Sequence, residues 1–373
     1  MIYSKNKIRK AGEKLKIHKQ DNEALKILSY WRTTHIASLE IAYEYLRASA
    51  LRVDKRSLLA KRLKRTPSII NKLIRFNKEG MKLDRMNDIG GCRAILPTVS
   101  KVEQVTKHLL RLEGFILQKD YINHPKNSGY RGIHLVAKIK NNEKDYRPIE
   151  LQLRTKIQHS WATAIEIVDL FTDQSIKTNS GGKDWSDFFK YTSNIFALLE
   201  RNSYLDISNP QTILNNFQKE YLSSHKNKAE FSFFQAYKLS KKLKIIKKFE
   251  AFTKSLQITA EQINKIPEDG YVLIRIDEID NTTFGIKSEF FSMNDLDIAV
   301  NKYMELEKKS ILHENFITAL ISTDSIGGIK EAYPNYFADS SSFIKYFQII
   351  TRVYEEYNPI WYRFICHIKF LFK

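Results

Sequence analysis

The sequence is poor in cysteine. Its 373 residues hold two, Cys92 and Cys366. They are far apart and give neither a metal-type spacing nor a disulfide framework, which fits a reducing cytoplasm. Long hydrophobic runs are lacking as well. No stretch approaches the roughly 18 uncharged apolar residues of a membrane span. The most apolar tail, Tyr362 to Lys373, is short and carries Arg363, His367, Lys369 and Lys373. The opening MIYSKNKIRKAGEKLK has no apolar core, so it does not read as a secretory signal. There is no internal repeat and no low-complexity tract. What remains is a chain with 43% apolar and 28% charged residues, the balance of a soluble globular protein long enough for two or three domains.

Acidic charge is scarce in most of the chain. The formal net charge is +19, and residues 1–80 alone hold 20 Lys/Arg against 7 Asp/Glu. Residues 265–373 reverse the sign, with 12 Lys/Arg against 16 Asp/Glu, which leaves +23 on the rest. A field of that size draws polyanions such as nucleotides, RNA or an acidic partner, although a basic solvated surface gives the same composition. The mildly acidic C-terminal part has the charge to dock back on the basic body.

Apolar spacing predicts one long amphipathic helix over residues 22–50 and a second over about 54–77, with Pro67 as a break or a first-turn residue. The run Cys92 to Leu96, led by a Gly pair, reads as a buried strand, and Val99 to Gly114 as a helix ended by its glycine. Gly132 to Ile139 and Arg147 to Thr155 read as a hairpin, and Lys156 to Phe171 as a helix. Residues 172–186 form a polar loop or lid. Residues 187–257 return to helix period, with a Lys-rich patch from Lys238 to Lys254. The remainder reads as a hairpin (Gly270 to Phe291), an N-capped helix (Asn294 to Ser310), a strand (Glu314 to Asp324) and a final helix (Ser340 to Tyr357). The fold class is α+β: a mixed sheet flanked by helices, a helical segment, and a small C-terminal α/β domain.

Three groups of residues carry the chemistry. Asp88 stands before the Gly pair, and Glu150 lies in a strand whose Ile149, Leu151 and Leu153 share one face while Glu150, Gln152 and Arg154 share the other. Two carboxylates on neighbouring strands suit Mg²⁺, with substrate phosphates as further ligands. The same row also fits the solvated face of an edge strand. Arg62, Lys64, Arg65 and Lys72 surround a helix start, where cations and free N–H groups together meet an anion; Ser68 and Lys72 fall on one helix face. A basic solvated helix end reads the same way. Lys126, Tyr130, Arg131 and His134 lie on a turn-rich loop entering a strand, and a ring presented beside Gly129 is either a stacking platform for a base or a turn-packing residue.

In this order the segments RLK…SI..K from Arg62, DI.G.R from Asp88, DYI..PK..GYR..H from Asp120, and E.Q.RT from Glu150 followed by Trp161-Ala162 resemble the RelA/SpoT synthetase domain over roughly residues 40–200. The resemblance implies a nucleotidyltransferase-like mixed sheet and transfer of the ATP β,γ-pyrophosphate to a ribose 3′-hydroxyl. Arg62, Lys64, Ser68, Lys72 and Arg93 would hold ATP, the pyrophosphate donor. Asp88 would bind Mg²⁺, and Glu150 would help with the metal or deprotonate the attacking hydroxyl. Tyr130 would stack on the acceptor base, with Lys126 and His134 near its phosphate or ribose and Gln152 and Arg154 on the acceptor side. No upstream hydrolase half is expected.

Members of this family differ in acceptor. Small alarmone synthetases use GDP or GTP, whereas a toxic subgroup modifies the 3′-terminal adenosine of tRNA and so blocks translation. The basic body and the Lys-rich patch favour tRNA, and Asn127-Ser128-Gly129 departs from the Pro-Asn-Gly frequent in the guanosine enzymes. The C-terminal part resembles that of the fused toxin–antitoxin CapRel proteins, where a zinc-finger-like domain lacking zinc folds over the ATP site. In those proteins a Y-x-x-Y motif blocks the nucleotide pocket, which corresponds here to Tyr354 and Tyr357. The resemblance thus implies a domain division of 1–200 (pyrophosphotransferase), 201–264 (helical connector) and 265–373 (autoinhibitory and trigger-sensing). It implies an autoinhibited, monomeric, cytoplasmic anti-phage enzyme with no membrane partner, released by a phage coat protein. The alternative is a (p)ppGpp synthetase with a C-terminal regulatory domain.

Overall fold

The computed structural model describes residues 3–138, 147–172, 182–201, 229–263, 270–279, 284–312, 316–323 and 336–357. Most of the expected loop 172–186, the turn after Ile139, the tail after Tyr357 and Cys366 lie outside the described residues. The chain forms two compact units, Met1–Pro125 with Arg131–Lys156, and Lys126–Tyr130 with Ile157–Lys373. This division differs from the boundaries expected at 200 and 264.

The first unit opens with α1 (Lys5–Ile17), α2 (Asn22–Thr33) and α3 (Ile36–Val53). Ser4 and Asp21 cap the first two by accepting from Lys7 N and Ala24 N. The single helix expected over 22–50 is therefore broken, and the reason is local. In an unbroken helix the carbonyl of Trp31 would accept the amide of His35. Instead Thr34 Oγ1 donates to it at 2.7 Å and His35 Nδ1 bonds it at 2.8 Å, while the His35 amide turns to Arg32 O at 3.1 Å.

The helix expected over 54–77 is also corrected. Asp54 accepts the Arg56 amide at 2.7 Å and turns the chain out of α3. The chain then runs as β1 (Leu58–Leu63) before α4 (Thr66–Arg75), whose first turn holds Pro67. Leu59 and Leu63 both pack on the core. Their four-residue spacing serves one face of a helix and one face of a strand equally well.

After a 3₁₀ turn at Leu83–Arg85 come β2 (Gly90–Leu96), α5 (Val99–Leu110), β3 (Phe115–Asp120), β4 (Ile133–Ala137) and β5 (Ile149–Thr155). They form a mixed five-stranded sheet in the order β1-β2-β5-β4-β3. Only β2 and β5 run parallel; the expected β4–β5 antiparallel pair is present. Strand β3 had no signal in the sequence because it is an edge strand, with Phe115 its one buried side chain. One sheet face packs Cys92, Ala94, Leu96, Leu135, Leu151 and Leu153 with α3 and α5 residues such as Leu46 and Val105. The opposite face carries the polar row.

The second unit contains α6 (Lys156–Thr172), α7 (Lys183–Arg201), α8 (Ala229–Leu243) and α9 (Ile245–Ile263), the last two separated at Lys244, whose φ is 51°. An antiparallel sheet follows, of β6 (Gly270–Glu278), β7 (Phe284–Ser292) and β8 (Phe316–Ser322) in the order β7-β6-β8, with α10 (Leu296–Leu312) and α11 (Tyr336–Tyr357). Residues 265–373 are not set apart. Val272, Ile274 and Ile276 of β6 and Phe343 and Phe347 of α11 share one core with Ile165, Phe188 and Phe252. Leu273, on the other face of β6, packs with Phe291 and Ala299. Among the described residues no helix is long and apolar enough to cross a membrane.

Candidate active site

The strand register builds the site. Arg62 on β1 pairs with Gly91 on β2, and Gly91 with Glu150 on β5. One step along, Arg93 pairs with Gln152, and Gln152 with His134 on β4. Directly paired residues point to the same face, so Arg62, Arg93, His134, Glu150, Gln152 and Arg154 share the face opposite the apolar core. The row seen in the sequence belongs to a central strand and is not a solvated edge.

Asp88 sits in the turn that leads into β2. Its Oδ2 meets Lys64 Nζ at 2.8 Å and Lys72 Nζ at 2.7 Å. Lys64 lies just past the end of β1, where its amide donates to Ile89 O at 2.7 Å; Lys72 lies two turns into α4. The Asp88 side chain is 13% exposed. Burial pushes its pKa up, and the charges of Lys64 and Lys72 outweigh that and hold it below the usual carboxylate range. The charge of Glu150 is also felt there and acts upward, so the two carboxylates lie within electrostatic reach of each other.

Glu150 is enclosed. His134 Nδ1 lies 3.1 Å from Oε1, and Gln152 Nε2 donates to Oε2 at 2.8 Å. Burial again raises the pKa, but His134 and Gln152 more than offset it and lower the value to about 2. Gln152 is the hub of the row, because its Oε1 accepts from Arg154 Nη2 at 3.0 Å and Arg93 Nη2 at 3.3 Å. The edge of the Tyr121 ring packs on His134, with centroids 5.3 Å apart. Tyr121 went unnoticed in the sequence, although it stands beside Asp120, whose carboxylate accepts the Ile122 and Asn123 amides and fixes the turn.

The structure thus joins Lys64, Lys72 and Asp88 in one cluster and Arg93, His134, Glu150, Gln152 and Arg154 in another. Ser68 is exposed in the first turn of α4. Lys126 and Tyr130 belong to the second unit. There Lys126 Nζ lies 5.0 Å from the centroid of the Tyr130 ring, which tilts against Trp161 at 6.5 Å. Gly129 has φ +91° and Ser193 donates to its carbonyl. Tyr354 is buried in the second unit's own core, 4.5 Å from Tyr237 and 6.4 Å from Phe234 between centroids. Glu355 beside it bonds Tyr237 Oη at 3.1 Å and Lys241 Nζ at 2.9 Å. Tyr357 closes α11, and its side chain lies outside the described residues.

A divalent cation suits the first cluster. Asp88 Oδ1 is buried without a hydrogen-bond partner among the described residues, which leaves that oxygen able to take a ligand. Among the described residues no three His, Cys, Asp or Glu side chains gather as a metal group. A cation here would take its other ligands from phosphate and water, the habit of Mg²⁺.

Part of the chain is similar to known proteins. The chain is 34% identical over 111 residues to the GTP pyrophosphokinase YwaC of Bacillus subtilis, covering 27% of this chain and 52% of that one. It is 33% identical over 108 residues to the GTP pyrophosphokinase YjbM of the same organism, covering 27% and 51%. The chain therefore spans about half the length of these curated relatives. Among solved structures, the small alarmone synthetase 2 from Bacillus subtilis aligns at 24% identity and TM-score 0.39, covering 47% of this chain and 94% of that one. The small alarmone synthetase 1 bound to pppGpp aligns at 20% and 0.38, covering 46% and 94%. Residues 61–168 match the region found in RelA and SpoT proteins, and every site residue from Arg62 to Arg154 lies within it.

Proposed function

We propose that the chain is an ATP pyrophosphotransferase. The observation that carries this is Asp88, with one oxygen held by Lys64 and Lys72 and the other buried and unpartnered, inside a RelA/SpoT region. The oxygen of an acceptor 3′-hydroxyl bonds to the β-phosphorus of ATP, the α–β bridge breaks, and AMP leaves. Arg62, Lys64, Ser68, Lys72 and Arg93 bind the nucleotide. Lys64 and Lys72 neutralise charge as it builds on the transferred group. Asp88, with Glu150, would hold a Mg²⁺ ion, which would supply Lewis-acid polarisation of the phosphates. Glu150 stays ionised at neutral pH, with His134 and Gln152 on its two oxygens, and helps with the metal or takes the proton of the attacking hydroxyl. Arg154 fixes Gln152 from beneath. Lys126 and Tyr130 hold the acceptor base.

The acceptor we infer is the 3′ end of tRNA. Supporting this are the +23 outside residues 265–373, the exposed Lys238, Lys241, Lys242 and Lys254 of α8 and α9, and Lys244 between them. A guanosine acceptor is the second reading, favoured by relatives named GTP pyrophosphokinases. Control by the C-terminal tyrosines and release by a phage coat protein rest on the CapRel resemblance. For Tyr354 this control would require leaving a buried contact with Tyr237, so Tyr357 is the better candidate.

The test uses the full chain and its Y357A variant with labelled ATP, Mg²⁺ and either deacylated tRNA or GDP with GTP. Label on tRNA supports the first reading, and label only in guanosine tetra- or pentaphosphate selects the second. Absence of transfer to either acceptor by both chains would sink the assignment.

A further inference from the structure

The break between α2 and α3 gathers contacts that reach both sides of the site. Arg32, in the last turn of α2, donates its Nε to the carbonyl of Lys64 at 2.8 Å, and its Nη1 lies 3.5 Å from Thr66 Oγ1. Two residues on, Thr34 Oγ1 accepts from Arg147 Nε at 3.0 Å, and the Arg147 guanidinium lies over the Trp31 ring at 4.6 Å. Lys64 carries the ammonium that holds Asp88, whereas Arg147 stands three residues before Glu150.

Lysine is a poor positioning device by itself. Its flexible four-carbon stem places charge accurately only when its root is fixed. At Lys64 both backbone groups are fixed: the amide by Ile89 O and the carbonyl by the Arg32 guanidinium. The second contact is charge-assisted and stronger than an ordinary backbone bond. Arg65, at the N-cap of α4, makes no side-chain capping bond, and Arg32 adds a hold on the turn between β1 and α4 from outside it.

We propose that Arg32 is a positioning residue for the ATP-phosphate end of the site, acting through the backbone of Lys64 and the turn into α4. It touches neither Asp88 nor the reacting atoms in this reading. The proposal rests on the assignment of residues 61–168 to ATP chemistry. Thr34, tied to Arg147 two residues before β5, is the matched comparison: it leaves the same helix end but serves the other side.

The experiment compares the full chain with R32A, R32K and T34V. Two readouts are used: equilibrium binding of a non-hydrolysable ATP analogue with Mg²⁺, and steady-state kinetics. R32A weakens analogue binding by about tenfold, the loss of one charge-assisted hydrogen bond. R32K, which keeps the charge with a simpler donor, recovers part of it. T34V binds the analogue within about twofold of the parent and lowers kcat instead. Parental analogue binding by R32A overturns the proposal, as does an equal loss in R32A and T34V, which would make the helix end a general scaffold. If the parent binds the analogue but transfers no pyrophosphate, the functional assignment fails while the binding comparison still decides Arg32. If the parent does not bind it, both fall.

Discussion

Ser193 on α7 donates its hydroxyl to the carbonyl of Gly129, one residue before the ring of Tyr130. A Cβ added at Gly129 would lie 3.0 Å from Ser193 Cβ and 3.1 Å from Lys190 Cα, and the backbone there has φ +91°. G129A is thus strained twice, by conformation and by contact, at a cost of about 1–2 kcal/mol for the conformation alone. We expect it to raise the KM for the acceptor about tenfold and leave the KM for ATP nearly unchanged; S193A has a smaller effect of the same kind. Steady-state kinetics with each substrate varied in turn checks this, and equal changes in both constants would detach the loop from the acceptor.

Replacing Asp88 by Asn keeps the shape and removes the charge that Lys64 and Lys72 share. The expected result is a fall in kcat of about 100-fold or more and loss of the Mg²⁺ dependence of ATP-analogue binding. Mg²⁺ titrations at fixed analogue, read alongside circular dichroism of the folded protein, separate this from misfolding.

His35 is fully buried. Burial drives its pKa down to about 4, Arg147 adds to that, and the bond to the Trp31 carbonyl opposes it. A histidine with a lowered folded pKa stays neutral in the native state while the unfolded chain takes up a proton. Stability is therefore fully present above about pH 6.5 and is lost as pH falls toward 4, by about 3 kcal/mol. Urea unfolding at a series of pH values should show this slope in the parent and a flattened one in H35N. Glu150, lowered to about 2, acts in a separate window below the ordinary glutamate range.

Phe347 on α11 is 1% exposed and packs edge-on against Phe188 of α7 at 5.0 Å, while Phe343 of the same helix tilts against Phe189 at 5.8 Å. F347A is expected to destabilise the second unit by about 3–5 kcal/mol. Unfolding followed by the fluorescence of Trp161 and Trp185, both in that core, measures it. An unchanged transition would mean that α11 is a detachable cap.

The polar face of β5 was more legible in the sequence than the scaffold around it. Alternation in Ile149-Glu150-Leu151-Gln152-Leu153 sorts the two faces of β5 without any knowledge of its neighbours, because side chains in a strand alternate strictly. The break at Thr34 was hidden, since it comes from two side chains taking one backbone carbonyl and leaves the apolar spacing of residues 22–50 intact. β1 was hidden because Leu59 and Leu63 satisfy two periodicities, and β3 because an edge strand with a single buried residue leaves no pattern. Arg32 gave no signal: its partner is a main-chain oxygen 32 residues away. The packing of α11 was hidden as well, since its tyrosines were read through their resemblance to a Y-x-x-Y motif while Phe343, Tyr346, Phe347 and Ile350 seat the helix in the core.

Strand β5 also constrains how this protein can change in length. Its leucines and its polar row occupy alternate positions of one segment, with β2 on one side and β4 on the other. Deleting or inserting a single codon between Ile149 and Leu153 would turn the segment over. That would drive Glu150 or Gln152 into the leucine layer and turn the leucines onto the face of the polar row. Substitutions there alter one face at a time, whereas a one-residue register shift removes the apolar face and the polar row together. Surviving variants should therefore keep this strand at constant length, even where its individual residues drift.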